Sequence, residues 1–420
     1  MLKIAFDCID VTPDEKGWIG FAAPANPQPP RDPLFARLFL IRDDKGSALV
    51  ISLDYGGLYC SAHDDWRREL AGAAGIPFNR VILHCLHQHD APFINIEAAE
   101  MMKIPLDWSW FDKVKTLVRN AVLALPGKLA EVTSVGWSET CVHGYASNRR
   151  VLTEDGRIAV RWSRCADEKL RSAPAGLIDP MLRTLGFFGA EGGLIAAWSF
   201  YATHPQVANE GKRFSADAPG EAMRLLKERF PQIQNSLFNG CFGNITAGKY
   251  SSFDDLEGNI LHFGKLIADA VTKNLRSMEL VKADSFQWKR EVFPFPVRRF
   301  SEEELAERAA ASPAVAAALA AGDAYGRVNG EEYAVEMLEL GDAKILFLNG
   351  ELFIEYQLFA QSLIPDEKLA VAGNCGDTFY YIGTAEDLRD PDGYEVKSFC
   401  RVMPEFEELF KNTLRRMLAR

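Results

Sequence analysis

Residues 81–92 read VILHCLHQHDAP. An apolar run of strand length, Val81 to His84, passes into a segment with three histidines within six residues, closed by Asp90 and Pro92. A short apolar run without strict alternation suits a strand covered on both faces. His87 and His89 are two residues apart. In extended backbone such residues share a face, so both imidazoles could reach one metal ion or one substrate. The pair lies at or just beyond a strand end, where α/β folds commonly carry their sites. A polar loop that happens to be His-rich is the competing reading. His84 has the opposite parity and is expected to face away.

A second strand run ends the same way. LIAAWSF (Leu194 to Phe200) leads into YATHP, with His204 before Pro205. A zinc site draws imidazoles or carboxylates from separate strands and keeps one position open for water. Glu351 follows the apolar run KILFL (Lys344 to Leu348) and an Asn349-Gly350 turn. A carboxylate directly after a buried strand needs either a partner or solvent, so a ligand and a solvated turn residue stand level. The stretch LFNGCFGNITAGKY supplies Gly240, Gly243 and Gly248, which permit close backbone approach, and the Thr246 hydroxyl. No Gly-Lys-Ser/Thr closes it, so it is not a phosphate loop, and no GxSxG elbow exists. Asp217 could hydrogen-bond a metal ligand or cap a helix starting near Pro219. His63, in SAHDDWRREL, reads as a solvated helix start. His262 lies in a helical pattern and reads as structural, and His143, close to Asn148 and Arg149, could line a site.

Around these segments, Arg37 to Ile41 and Ala48 to Leu53 read as further strands. Trp110 to Leu125, Pro219 to Phe230 and Asn259 to Leu275 read as helices. Strands alternating with helices predict an α/β fold, a mixed β-sheet core layered with helices. Ser301 and Glu304 form a capping-box pattern that opens an Ala- and Glu-rich helical excursion over about 300–322, broken near Pro313. No long Ser/Gly/Pro linker and no repeat divides the 420 residues, so one domain over 1–420 is expected. The formal charge of −11 argues against an extended nucleic-acid surface, which needs clustered Lys and Arg. No apolar run approaches membrane-spanning length. Asp7 and Asp10 fall where a signal peptide needs an apolar stretch, so a cytoplasmic protein is expected. The eight scattered cysteines contain no CxxC pair and fit reduced thiols.

The ordered set of motifs resembles the catalytic domain of the neutral/alkaline ceramidases and their shorter bacterial relatives. It comprises IDVTP (Ile9 to Pro13), the Gly20 to Ala22 segment GFA, LHQHDAP, Asn148-Arg149, Asp179, FYATHP, SADAPG (Ser215 to Gly220), GNITA, NGE and GNCGDTFYYIGT (Gly373 to Thr384). The resemblance covers nearly the whole chain, and the length then reads as that domain without an appended immunoglobulin-like one. It implies zinc (Zn²⁺) held by His87, His204, Glu351 and Tyr381, with Asn349 standing where the family has Pro. It implies that His89 contacts substrate beside the metal, that Tyr394 steadies the oxyanion, and that Arg149 lies at the mouth of the site, with Arg150 as the adjacent register. The family's Gly-Asp-Val-Ser-Pro is here Gly243 to Ala247, so that Thr246 replaces the catalytic-site Ser. The activity expected is zinc-dependent hydrolysis of an amide C–N bond in a lipid amide or smaller molecule. Alternatives are a zinc enzyme of another class (an ester or glycoside hydrolase, or a lyase) on a small polar substrate, or a non-catalytic binding protein.

Overall fold

Strands Phe35–Asp43, Gly46–Leu53 and Val81–Cys85 are buried on both faces, as their unbroken apolar runs require. They form one half of a mixed sheet whose order continues through Lys3–Asp10, Ala130–Cys141, Met181–Gly189 and Leu194–Tyr201 to Gln234–Asn239. Glu279–Lys282 branches from Ala130–Cys141. The outermost pair at each end is parallel and the remaining pairs are antiparallel. The computed structural model describes residues 1–13, 18–19, 23–24, 28–104, 107–376, 380–390 and 393–419. The GFA segment at 20–22 and residues 377–379 of the 373–384 motif lie outside them.

A second sheet, Phe286–Pro294, Glu332–Leu340, Ala343–Leu348 and Lys368–Ala372, packs face to face on the first. Side-chain alternation builds the layers. Phe39, Ile41, Val50, Ile82, Trp198 and Phe238 of the large sheet meet Leu338, Ile345 and Phe347 of the small one. Each of these Ile, Leu, Val and Phe side chains, fully buried, contributes about 1.5–3 kcal/mol. Their neighbours Leu38, Leu40, Leu49, Ile51 and Leu83 point the other way, onto helices Cys60–Ala74 and Ser109–Ala124. Leu182, Tyr201 and Leu237 do the same against helices Asp217–Arg229 and Leu256–Arg276. On the far side, Met337, Leu346 and Val371 face helices Ile354–Leu363 and Phe406–Leu418. The α/β expectation of a mixed β-sheet core layered with helices is met, the core consisting of two sheets between helical layers. KILFL belongs to the second sheet.

The capping box at Ser301 is present, and the excursion runs as helices Glu302–Ala311 and Pro313–Asn329, broken where Pro313 lacks the amide hydrogen to continue. The two ends of the large sheet approach one another: the Ser52 hydroxyl donates to Leu237 O (2.9 Å) and Asn239 N donates to His84 Nε2 (3.2 Å). That juxtaposition sets the loop after Val81–Cys85 beside the loop after Leu194–Tyr201. No helix among the described residues is long and apolar enough to cross a membrane.

Candidate metal centre

The Val81–Cys85 strand stops two residues before His87, which takes φ +68°, the left-handed region that non-glycine residues rarely adopt. The two histidines therefore converge through a turn, and strand parity is not what brings them together. Their ring centroids are 5.0 Å apart, and the His204 ring lies 5.5 Å from that of His87. Ligand-capable atoms of His87, His89 and His204 all fall within 4.8 Å of one another.

Backbone carbonyls fix two of the tautomers. His87 Nδ1 donates to Gly56 O at 2.7 Å, and His204 Nδ1 donates to Ile245 O at 2.9 Å. Each Nε2 is then a lone-pair acceptor. Both face Glu351 Oε2, at 3.6 Å from His87 and 3.1 Å from His204. His87 and Glu351 are 3% exposed and His204 is 0% exposed. Three acceptors converging out of water repel one another unless a cation sits among them. Burial, opposed for His87 by Glu351, pushes the His87 imidazole below its ordinary value, and burial takes His204 down to about 3. Burial also pushes the Glu351 carboxyl up, against the pull of His87 and Arg149. The donor set of two neutral imidazoles and a carboxylate fits a zinc-type ion.

Glu351 is delivered by the small sheet. After Ala343–Leu348, Gly350 at φ +85° turns the chain into a two-residue strand, Glu351–Leu352, parallel to Tyr381–Ile382. Glu351 registers directly with Tyr381, so the two residues implied as ligands share one face of that ladder. Tyr381 is buried, its ring centroid 6.2 Å from that of His204. The glycine-rich loop supports them. A Cβ on Gly243 would lie 2.3 Å from Glu351 O, and Ile245 O accepts from both the amide and Nδ1 of His204.

His89 is held differently. Gln206 Nε2 donates to His89 Nδ1 at 3.1 Å, and the Ser163 hydroxyl donates to Gln206 Oε1 at 3.1 Å. His89 Nε2 then carries the proton, and it is buried with no partner among the described residues. Arg149, 1% exposed, also has an unpartnered buried Nη2. Its Nε donates to Glu395 Oε1 at 2.8 Å, and its guanidinium carbon lies 4.5 Å from the Tyr381 ring centroid and 5.3 Å from that of Tyr394. Arg150 binds the other oxygen of Glu395 at 2.7 Å and Asp387 at 3.2 Å, so of the adjacent pair it is Arg149 that packs on the site tyrosines. The Tyr381 and Tyr394 centroids are 6.0 Å apart, and burial pushes both phenols up against the pull of Arg149.

Thr246 is placed otherwise. Its hydroxyl donates to Arg161 O at 3.2 Å and accepts from Gly248 N at 3.3 Å, which commits it to the loop's own backbone. Asn244 holds the second turn of that segment. Its Oδ1 accepts from Ile354 N (2.9 Å) and its Nδ2 donates to Glu355 (3.0 Å). Asp217, at φ +52°, accepts from Ala208 N and Ala218 N, tying the loop after His204 to the helix start and bonding to none of the histidines. His63 is a correction: it is 2% exposed and paired with Asp64, because helix Cys60–Ala74 turns that face into the protein. His143 and His262 are exposed. Gln206 and Glu395 are the residues that sequence reasoning passed over. Glu395 directly follows Tyr394 in the sequence, whereas a neutral Gln two residues after His204 carries no signal.

The chain is thus an α/β protein of two packed sheets, with buried imidazoles and a carboxylate that could hold a metal ion. No family model matches it, and no curated protein sequence does. Among solved structures it is similar to neutral ceramidase from Pseudomonas aeruginosa (TM-score 0.73, 14% identity), covering 100% of this chain and 74% of that one. It is equally similar to a ceramidase complexed with C2 (TM-score 0.73, 14% identity), covering 100% of this chain and 75% of that one. The fold is that of the neutral ceramidase structures.

Proposed function

We propose that the protein is a zinc-dependent hydrolase that cleaves an amide C–N bond in an N-acyl substrate. The observation that carries this reading is the convergence of His87 Nε2, His204 Nε2 and Glu351 Oε2, three acceptors with no donor between them. The shared fold and the resemblance of the motifs support the substrate class. His87, His204 and Glu351 would hold the metal, with Tyr381 as the fourth ligand. When bound, zinc supplies Lewis acidity and makes water nucleophilic at neutral pH.

The remaining groups act on the amide itself. The unpartnered Nε2–H of His89 donates to the oxygen on which charge develops, or passes its proton to the leaving amine. Gln206 keeps that proton on Nε2 by donating to Nδ1. Arg149, unable to lose its proton, adds fixed positive charge, and Tyr394 a phenolic donor. Glu395 and Arg150 fix the orientation of Arg149. The hydroxyl of Thr246 lines the support loop in this scheme. That commitment to backbone favours the second reading, a zinc enzyme of another class acting on a small polar molecule. The chain acts as one catalytic unit in either case, since the ligands come from positions 87, 204, 351 and 381.

The deciding experiment is metal analysis of untagged protein followed by a panel of N-acyl amides, short-chain ceramides included, against wild type and His87→Ala. About one zinc per chain and amide cleavage lost in the variant is the expected result. Zinc-loaded protein that leaves every amide intact but cleaves an ester or glycoside establishes the second reading. Failure to take up any divalent metal after reconstitution overturns both.

A further inference from the structure

A cavity of about 450 Å³, lined by none of the residues of the metal centre, lies between the Phe35–Asp43 strand and helix Asp217–Arg229. Pro33, Phe35, Met223 and Ile233 give it apolar walls. Arg37 lines it too, and is 3% exposed. A guanidinium offers five N–H donors. The side-chain hydrogen bond Arg37 makes is the one from Nη1 to Asp54 Oδ1, at 2.8 Å. Asp54 is more fully engaged: it also accepts from Phe35 N (2.9 Å) and from Gln88 Nε2 (3.3 Å). Of the other charges on the cavity, Asp32 is matched by Arg31, and Arg224 by Glu221 and Glu228. A buried donor fork with most of its capacity unspent therefore faces an apolar chamber large enough for a small organic ligand.

We propose that this cavity is a binding site, separate from the metal centre, for a medium-chain alkyl carboxylate. The planar fork of arginine matches a carboxylate through two parallel hydrogen bonds, which an alcohol or amine cannot reproduce. The apolar walls take the alkyl chain, and the exposed Lys227, whose amine donates to Pro231 O (2.8 Å), stands at the same cavity. The inference does not depend on which reaction the metal centre carries.

The test is calorimetric titration of the full chain with decanoate, with decanol and acetate as comparators. Saturable one-to-one binding of decanoate, at least tenfold tighter than decanol and undetectable for acetate, is expected. Met223→Trp fills the chamber without touching the Arg37–Asp54 pair and abolishes binding. Arg37→Lys keeps the charge but removes the fork and weakens binding at least tenfold; if it does not fold, Met223→Trp decides alone. Cys8 lines the same cavity, so decanoate slows its reaction with a thiol reagent. Equal affinity for decanol, or no saturable binding, overturns the proposal. So does decanoate binding that survives Met223→Trp and disappears in His87→Ala, which places the acid at the metal centre.

Discussion

At the scale of single residues, the site depends on which atom of each group is committed elsewhere. Gly56 O and Ile245 O accept from Nδ1–H of His87 and His204, which leaves their Nε2 atoms as lone-pair acceptors facing Glu351. Glu351→Gln preserves shape and removes the charge. The variant is expected to lose its metal on dialysis while wild type retains about one ion per chain; stoichiometric metal in both would remove Glu351 from the ligand set. His89 is set by a neutral neighbour. Gln206→Leu leaves its Nδ1 free to take the proton, so turnover should fall roughly 10–100-fold with metal content unchanged. A loss of metal in that variant would mean that Gln206 supports His204 and not the tautomer of His89.

Among the elements, the two ends of the large sheet are pinned by a histidine outside the site. His84 is 0% exposed, and burial lowers its pKa from 6.5 to about 3. Its ring accepts from Asn239 N, and Ser52 Oγ lies 3.2 Å from its other nitrogen. Below pH 6.5 the unfolded chain binds a proton that the folded chain refuses until about pH 3. Stability from this residue is therefore complete above pH 6.5 and falls as pH drops toward 3, by up to about 1.4 kcal/mol per pH unit. His84→Gln can keep hydrogen bonds to both neighbours without titrating. Urea unfolding between pH 4 and 7 should show a shallower acid loss in the variant; identical slopes would assign the loss to other groups. The most apolar strands and the most periodic helices were legible, because their apolar periods are local, whereas strands such as Ala130–Cys141 and Glu332–Leu340 were not read. Expected runs such as Lys344 to Leu348 and Asn259 to Leu275 lie within the observed Ala343–Leu348 and Leu256–Arg276.

Across the whole molecule, the candidate centre joins layers. His87 and His204 hang from the large sheet, whereas Glu351 follows a strand of the small one. An ion held there ties the sheets together across their shared apolar interface. Chelation should lower the melting temperature, and added zinc should restore it with a concentration dependence, reaching about 4 kcal/mol at a thousandfold excess over Kd. A melting curve indifferent to chelator and zinc would contradict a cross-layer metal. Calorimetry with and without chelator makes the measurement.

The sequence by itself determined the α/β class, the positions of some strands and helices, the capping box at Ser301 and the residues worth suspecting, because these rest on local periodicity and on rare side chains at strand ends. It marked His87, His204 and Glu351 as candidates, yet left Glu351 level with a solvated turn residue. Only the tertiary structure decided that this carboxylate is buried within 3.6 Å of both imidazoles. It also decided that a left-handed turn at His87, and not strand parity, aims the pair. That His63 is buried, that Thr246 is spent on backbone and that Gln206 orients His89 were likewise tertiary matters. The physical reason is common to all of these. A hydrogen-bond partner distant in the chain leaves no periodic trace, and the burial and state of a titratable group depend on what the fold packs around it.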